Sequence, residues 1–442
     1  PESLLKGFLL GLFATLFSAA PPAWEAASVP ARAALSRSGL ESKAVRAVNL
    51  AAWAGSAMIV GGVGLLLLPT QSLLVSFVAT FAIIVGFAML APLVTKHLML
   101  RATPGLGRLW GVLGRMAPRS VVNSLSRTSI AVMSLMVAVS VTIGVSLMVG
   151  SFRQTIITWL NDTLQGDIYI SAPSLSATAP TTSLDTAVIE RIRNWPGVTR
   201  VDVLRAVSVE SPQGPVQVSA TDNSNLAEER NFLSTSAPEE ELWQEMTRGA
   251  ILVSEPFANL YRLSRRGGEV ALYTSTGLKS FPVAGIYYDY ASTQGTILMA
   301  LPVYQQNWND TQLSALALRL EPEANFDQTV TGLQDAFAGQ QSLLIRSNQA
   351  LRQEVLEVFD RTFAITGALQ LLATGVAFIG VLSALLSLEL ERQRELGILR
   401  SIGLTVRQMW NLVLLETGLM GVTAGLLAMP TGFVLSLILI YI

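Results

Sequence analysis

Residues 129–151 read SIAVMSLMVAVSVTIGVSLMVGS, a run from Ser129 to Ser151 that holds no charged side chain. At 1.5 Å rise per residue, about 20 residues cross a hydrocarbon core of about 30 Å, so this run reads as a membrane-spanning helix. Five more runs qualify: 7–24, 50–68, 72–95, 362–388 and 411–442. Only Pro69-Thr70-Gln71 separates 50–68 from 72–95. Those two helices are therefore expected to form a hairpin over 50–95. The last run is about 32 residues, or roughly 48 Å as a helix, too long for one upright span and too short for two. Either Pro430 kinks it or it projects beyond the bilayer. The expected fold class is a membrane α-helical bundle of about six spans.

Composition agrees. Of 442 residues, 51% are apolar and 14% charged, against about 25% charged in soluble domains. Thirty Lys and Arg stand against 31 Asp and Glu, which leaves no overall basic field for nucleic acid. There is no Cys and one histidine, His97. Thiolate chemistry, disulfides and any two-histidine metal centre are excluded from this sequence.

Between the fourth and fifth runs lies a stretch of mixed polarity, 152–361, long enough for a globular domain. Strand-like segments at 167–171, 201–209, 215–220, 270–274, 281–288 and 315–320 alternate with helical patterns at 184–195, 238–247, 327–338 and 349–359. The expectation is an α+β domain, with loops at 173–182 and 265–268.

Lys and Arg fix the topology. Segment 25–49 has four basic residues (Arg32, Arg37, Lys43, Arg46) and two acidic, 96–128 has six basic and none acidic, and 389–409 has four basic and three acidic. Cytoplasmic loops collect such residues near helix ends, so these segments share the cytoplasmic side and 152–361 lies outside. That outer region carries 15 basic and 24 acidic residues from Ser151 to Arg361. A near-zero net charge thus conceals a polarised molecule. Both ends of the sequence then fall outside with no signal segment, so it is expected to be part of a longer chain.

The most informative segment is 389–410, ELERQRELGILRSIGLTVRQMW. Leu396, Leu399, Ile402 and Leu404 recur at helical spacing among alternating charges, which describes a short amphipathic helix at the membrane surface. A solvated loop helix without a partner reads equally well. Gly397 and Gly403 weaken a surface helix unless a turn or a close approach requires them.

This segment resembles the FtsX-like permease family of ABC transporters, whose R-E-x-G-x-x-R-x-x-G block is matched by Arg394, Glu395, Gly397, Arg400 and Gly403. Pro22-Ala23-Trp24-Glu25-Ala26-Ala27, with Pro30 and Ala34-Leu35, is similar to the end of a permease unit, although the spacing after Pro30 is one residue long. Ser124-Leu-Ser-Arg127 is similar to the basic entry of a unit's first helix. Asp167-Ile-Tyr-Ile170 resembles the first strand of the MacB-type periplasmic core domain.

The resemblance implies a phase. Residues 1–24 are the last span of a first permease unit, 25–49 a cytoplasmic loop, 50–95 a linking hairpin and 96–128 a basic cytoplasmic amphipathic segment. Residues 129–151 are the first span of a second unit, 152–361 its MacB-like periplasmic core domain, and 362–388 and 411–442 further spans. Residues 389–410 form the coupling helix that rests on an ATPase subunit. Ten-span, two-unit relatives of the LolC/LolE and MacB type contain the missing parts.

Other candidates are weaker. The glycines of 105–114 lack the Lys and the preceding strand of a phosphate-binding loop, so ATP and Mg²⁺ are expected on a partner ATPase dimer and no cofactor on this chain. Glu416 is the only ionisable residue deep in a run, about five residues or roughly 7.5 Å in. It is either an intramembrane polar site or a side chain that snorkels to the interface. His97 reads as interfacial. Glu239, Glu240, Glu241 and Glu245 read as a solvated helix face rather than a calcium loop. The outer region has no G-x-S-x-G, and a Ser-Lys dyad would need Lys279, so no catalytic site is expected.

The resemblance implies a permease subunit of a bacterial inner membrane that converts ATP hydrolysis by its partner into movement of the outer domain. Cargo in the family is lipoprotein, lipid, peptide or macrolide, extracted or exported, and other implied partners are membrane lipids and an extracytoplasmic protein. The alternatives are a non-transporting mechanotransmission regulator of an extracytoplasmic hydrolase and a ligand-sensing receptor.

Overall fold

The computed structural model describes residues 2–28, 38–68, 72–173, 182–226, 228–264 and 267–441. The segment around Pro30, the turn Pro69-Thr70-Gln71 and most of the 173–182 loop lie outside the described residues, as do Arg265 and Arg266. The chain divides into two compact units: Pro1–Val149 with Thr366–Ile442, and Gly150–Ile365.

The first unit is helical. It holds α1 (Glu2–Ser28), α2 (Ser38–Leu66), α3 (Leu73–Asn123) and most of α4 (Leu125–Thr163). The lower part of α10 (Asn348–Glu391), the short α11 (Gln393–Ser401) and α12 (Val406–Tyr441) complete it. Five stretches among the described residues are long and apolar enough to cross a membrane: Val48–Leu66, Leu73–Asn123, Thr128–Thr163, Asn348–Ser387 and Val406–Tyr441. The sixth expected run, 7–24, lies on α1, several of whose side chains fall outside the described residues.

Small residues bring these helices together, as they must where burial from water supplies no drive. A Cβ on Gly55 would lie 2.6 Å from the Gly86 carbonyl oxygen, and one on Gly86 2.7 Å from that of Gly55. α2 and α3 therefore touch backbone to backbone. Gly432 of α12 meets the Ser140 carbonyl of α4 in the same way, at 2.8 Å. Between them sit Ala91, Met99, Val121, Val132, Met136, Met420 and Ala424. Residues 96–123 continue α3 as helix, with non-helical backbone at Trp110 and Gly111, where Gly111 has φ +56°, and the chain breaks again at Ser124 before α4. Pro430 lies inside α12.

The second unit is an α+β domain built on one mixed sheet of ten strands. β1 (Ile168–Ser171), β2 (Val198–Ser211), β3 (Gly214–Thr221), β4 (Phe232–Thr235) and β5 (Ile251–Ser254) come first. β6 (Glu269–Thr274), β7 (Gly277–Tyr287), β8 (Thr296–Ala300), β9 (Ala315–Leu320) and β10 (Leu344–Ser347) follow. Their order is β10-β1-β9-β2-β3-β8-β5-β7-β4, with β6 on β7. β3–β8 and β5–β7 pair in parallel and the other pairs are antiparallel.

Helices α5 (Thr186–Arg193), α6 (Glu239–Thr247), α7 (Glu255–Leu260), α8 (Leu301–Trp308) and α9 (Phe326–Phe337) complete this unit. Ile192, Leu242, Met246, Phe257, Tyr304, Leu333 and Phe337 carry their buried faces into a core that includes Ile251, Leu252 and Val253 of β5 and Ile297, Leu298 and Met299 of β8. One ion pair is set into it. Arg205 of β2 donates through Nε to Asp310 (2.8 Å) and through Nη1 to Ser314 (3.3 Å), and the Tyr304 hydroxyl donates to the same carboxylate (2.8 Å). Burial alone would raise the Asp310 pKa, but the Gln312 backbone N–H, the Tyr304 hydroxyl and Arg205 outweigh it and hold the carboxyl below its ordinary value. Tyr304 itself is pushed up to about 12, by burial first and then by its bond to Asp310.

α4 and α10 adjoin the sheet at one edge, because β1 follows α4 and β10 precedes α10 and the two strands are paired. Asn348 at the head of α10 donates through Nδ2 to the carbonyls of Leu164 and Gly166, both at 2.7 Å. Farther along, Arg153 pairs with Asp360 at 3.1 Å, and Phe152 meets the Phe359 ring at 5.5 Å.

Candidate functional site

The block singled out in the sequence forms a foot between α10 and α12. α10 stops at Glu391, Arg392 turns the chain with φ −92° and ψ 3°, and α11 occupies Gln393–Ser401. The helix ends in a reverse turn that only its last glycine makes easy. Gly403 has φ +111°, its N–H bonds the Arg400 carbonyl at 3.1 Å, and the Leu404 N–H reaches the Leu399 carbonyl at 3.1 Å. These are the paired bonds of a Schellman stop, which wants Gly at the left-handed position. A capping box follows at once. The Thr405 N–H donates to Gln408 Oε1 (2.9 Å) and the Gln408 N–H to Thr405 Oγ1 (3.3 Å), which starts α12.

Arg394, Glu395, Gly397, Arg400 and Gly403 are all exposed, and α11 has no buried residue. Leu396, Leu399 and Leu404 are half-buried, whereas Ile398 and Ile402 are 52% and 73% exposed. Beyond its ends, α11 is a charged ridge with an apolar flank open to contact. Space is not what demands Gly397 or Gly403, since a Cβ on either would meet nothing within 4 Å; at Gly403 the backbone turn does.

What fastens the foot is an ion pair that the sequence half-discloses. Glu416 on α12 is 2% exposed, which is burial and not snorkelling. Its carboxylate receives Arg392 Nη1 at 2.6 Å and Nη2 at 3.4 Å, and Nη2 also donates to Ser120 Oγ of α3 at 2.6 Å. Arg392 Nε lies 3.5 Å from Glu395. A forked guanidinium on a carboxylate is among the strongest and most directional polar contacts available. The residue immediately before α11 is thereby joined to two other helices. Arg392 was missed because it is one of four basic residues in a charge-rich stretch, and nothing in local spacing marks the one that turns inward.

The remaining candidates are dispersed. His97 Nδ1 sits 2.9 Å from the Leu93 carbonyl at an exposed site. Glu239, Glu240 and Glu241 occupy the first turn of α6 in solvent. Lys279 donates to Asn307 Oδ1 at 2.8 Å and not to a serine. Among the described residues no group of three or more His, Asp or Glu could hold a metal ion.

A helical membrane unit with a charged foot and an inserted α+β domain defines a class, and the sequence relatives agree with it. Residues 128–336 match the MacB-like periplasmic core domain and residues 367–442 the FtsX-like permease C-terminal family. The chain belongs to the FtsX/MacB-type ABC transporter permeases. It is 43% identical over 446 residues to an uncharacterized ABC transporter permease protein of Mycobacterium tuberculosis, a match that covers 100% of this chain and 52% of that protein. The chain thus spans about half the length of that relative. Among solved structures, the periplasmic region of MacB from Actinobacillus actinomycetemcomitans is similar at 8% identity and a TM-score of 0.33, covering 46% of this chain and 97% of that one. The extracellular domain of the noncanonic ABC-type transporter YknZ from Gram-positive bacteria gives 12% identity and a TM-score of 0.29, covering 41% and 100%.

Proposed function

We propose that this chain is the membrane-spanning subunit of an ABC complex, and that α11 transmits ATP-driven movement of a separate ATPase dimer to α10 and α12. The carrying observation is the exposed charged foot whose first residue is tied through Arg392 to Glu416 and Ser120. A push on α11 reaches α12 and α3 through a short forked bond, and reaches α10 through one residue of turn. α4 and α10 each contribute residues to both units, so they carry the displacement to the outer domain. In this reading the basic segments face the cytoplasm, 152–361 faces outward from a bacterial inner membrane, and ATP turnover belongs to the partner. The work done outside is extraction or export of an amphipathic substrate.

The test is co-purification from native membranes in mild detergent. An ATPase subunit is expected to accompany the wild-type protein and to be lost when Arg394 and Glu395 are both replaced by Ala, with the melting temperature of the permease unchanged. An ATPase that stays bound to the double variant, or none bound to the wild type, overturns the proposal.

A further inference from the structure

A cavity of about 290 Å³ opens in the outer unit between the end of α4 and the chain around Asn231 and Tyr288. Its size is near the low end of small-molecule sites, about 300–1,000 Å³, which is room for one or two rings. Three aromatic side chains line it: Trp159, Tyr288 and Tyr290. Trp159 and Tyr290 meet edge to face, with centroids 5.9 Å apart and planes at 83°, and Tyr290 stays 42% exposed. Trp159 Nε1 is buried with no hydrogen-bond partner, an arrangement native proteins rarely leave without a reason.

The rest of the lining is polar and nearly neutral. Gln154, Thr155, Thr158 and Asn231 present amides and hydroxyls. The two charges are already engaged: Asp162 accepts from Asn231 Nδ2 at 2.5 Å, while Arg230 donates to Thr163 Oγ1 at 3.2 Å and lies 5.4 Å over the Tyr287 ring. The Thr155 hydroxyl and Asn231 Nδ2 already have partners, and an acyl chain would cover the Gln154 amide and the Thr158 hydroxyl without offering them any. A cation would confront Arg230, and an anion Asp162. The chemistry that remains has many hydroxyls, no charge and one C–H face to lay on an aromatic ring.

We propose that this cavity binds a glycosyl group. Its α4 side, 151–163, begins where the charge-free run ends and extends about 18 Å along the helix. That is the depth of a lipid headgroup and the water just beyond it, given a hydrocarbon core of about 30 Å and about 40–45 Å with headgroups. The sugar therefore comes from a glycolipid headgroup or from free saccharide, and an experiment with two arms separates them.

The full chain is placed in phosphatidylglycerol nanodiscs and titrated with maltose. In the second arm, glucosyl-diacylglycerol is built into the discs. Saturation-transfer NMR and tryptophan fluorescence report binding. Saturable binding is expected in at least one arm, weakened about five- to tenfold by Tyr290→Ala and less by Trp159→Phe, which keeps a ring and removes the donor. Both variants should melt as the wild type does, and Trp159→Phe alone decides if Tyr290→Ala does not fold. Binding of maltose assigns the site to free sugar, and binding in the glycolipid discs alone assigns it to a headgroup. No response in either arm, a response equal in wild type and variants, or a response to choline chloride alone overturns the proposal. No ATPase is present, so either result leaves the role of the foot to its own test.

Discussion

Arg205–Asp310 and Arg392–Glu416 are both arginine–carboxylate pairs, and they are fastened very differently. Arg205–Asp310, in the α+β unit, joins a wide sheet to the loop before β9 and shares its carboxylate with Tyr304 and the Gln312 N–H. A large apolar core surrounds it. Arg392–Glu416, in the helical unit, also touches Ser120 and the exposed Glu395, and it abuts a helix that buries nothing. The first pair is one clamp among many. The second joins the turn before an exposed helix to two other helices, so the same chemistry sits inside a core in one place and beside an exposed helix in the other.

Breaking the second pair should therefore have the larger effect. Glu416→Ala leaves a guanidinium buried without its partner, which costs about 3–5 kcal/mol, and thermal denaturation of the full chain in detergent should show it as a clear drop in melting temperature. Replacing both partners by Met should recover most of that stability, since buried pairs are often no better than apolar residues of similar volume. The double variant should still fail to couple ATP turnover to the complex. Recovery of coupling together with stability would reduce Arg392–Glu416 to packing.

The first pair is tested by acid. Asp310 has its folded pKa depressed below the unfolded value near 3.9, so its contribution is complete above that value and is lost as pH falls through the folded pKa. The α+β unit of Asp310→Asn should be less stable than wild type at pH 7, and the gap should narrow as the pH falls below the unfolded value through the depressed folded pKa. Hydrogen exchange of the sheet amides would follow it, and a gap constant with pH would rule out the ionised carboxylate as its source. At the small end, Glu239→Gln, Glu240→Gln and Glu241→Gln together should shift stability by no more than about 0.5 kcal/mol, in keeping with a solvated face on α6.

How much of this was legible beforehand follows from which signals are local. Long charge-free runs are written in consecutive residues, so the apolar helices can be read directly, whereas the coupling segment expected at 389–410 narrows to Gln393–Ser401 because its ends are set by the turns at Arg392 and Gly403. Glu416 stood out because its surroundings are apolar. Arg392 did not, because its partner is on another helix and its neighbours are charged. β5 and β8 were missed for a related reason: Ile251–Ser254 and Thr296–Ala300 are buried on nearly every residue, so neither shows the alternation that marks a half-buried strand. Helix ends were misjudged where polarity changed before the backbone did. The fourth run ends in sequence at Ser151, yet α4 continues to Thr163. The cavity at Trp159 is assembled from segments far apart in the chain, and no single stretch announces it.

The pairing of β1 with β10 also bears on how the protein is made. Ser171 lies opposite Leu344, so the strand laid down first in the α+β unit gains one of its two neighbours only after nearly all the rest has been synthesised. Closing such a distant pair is slow and entropically costly, and until it happens β1 has an open edge. A nascent α+β domain would then wait on its own final strand, and substitutions in 344–347 should reveal themselves less in the finished protein than in the fraction of chains that ever finish.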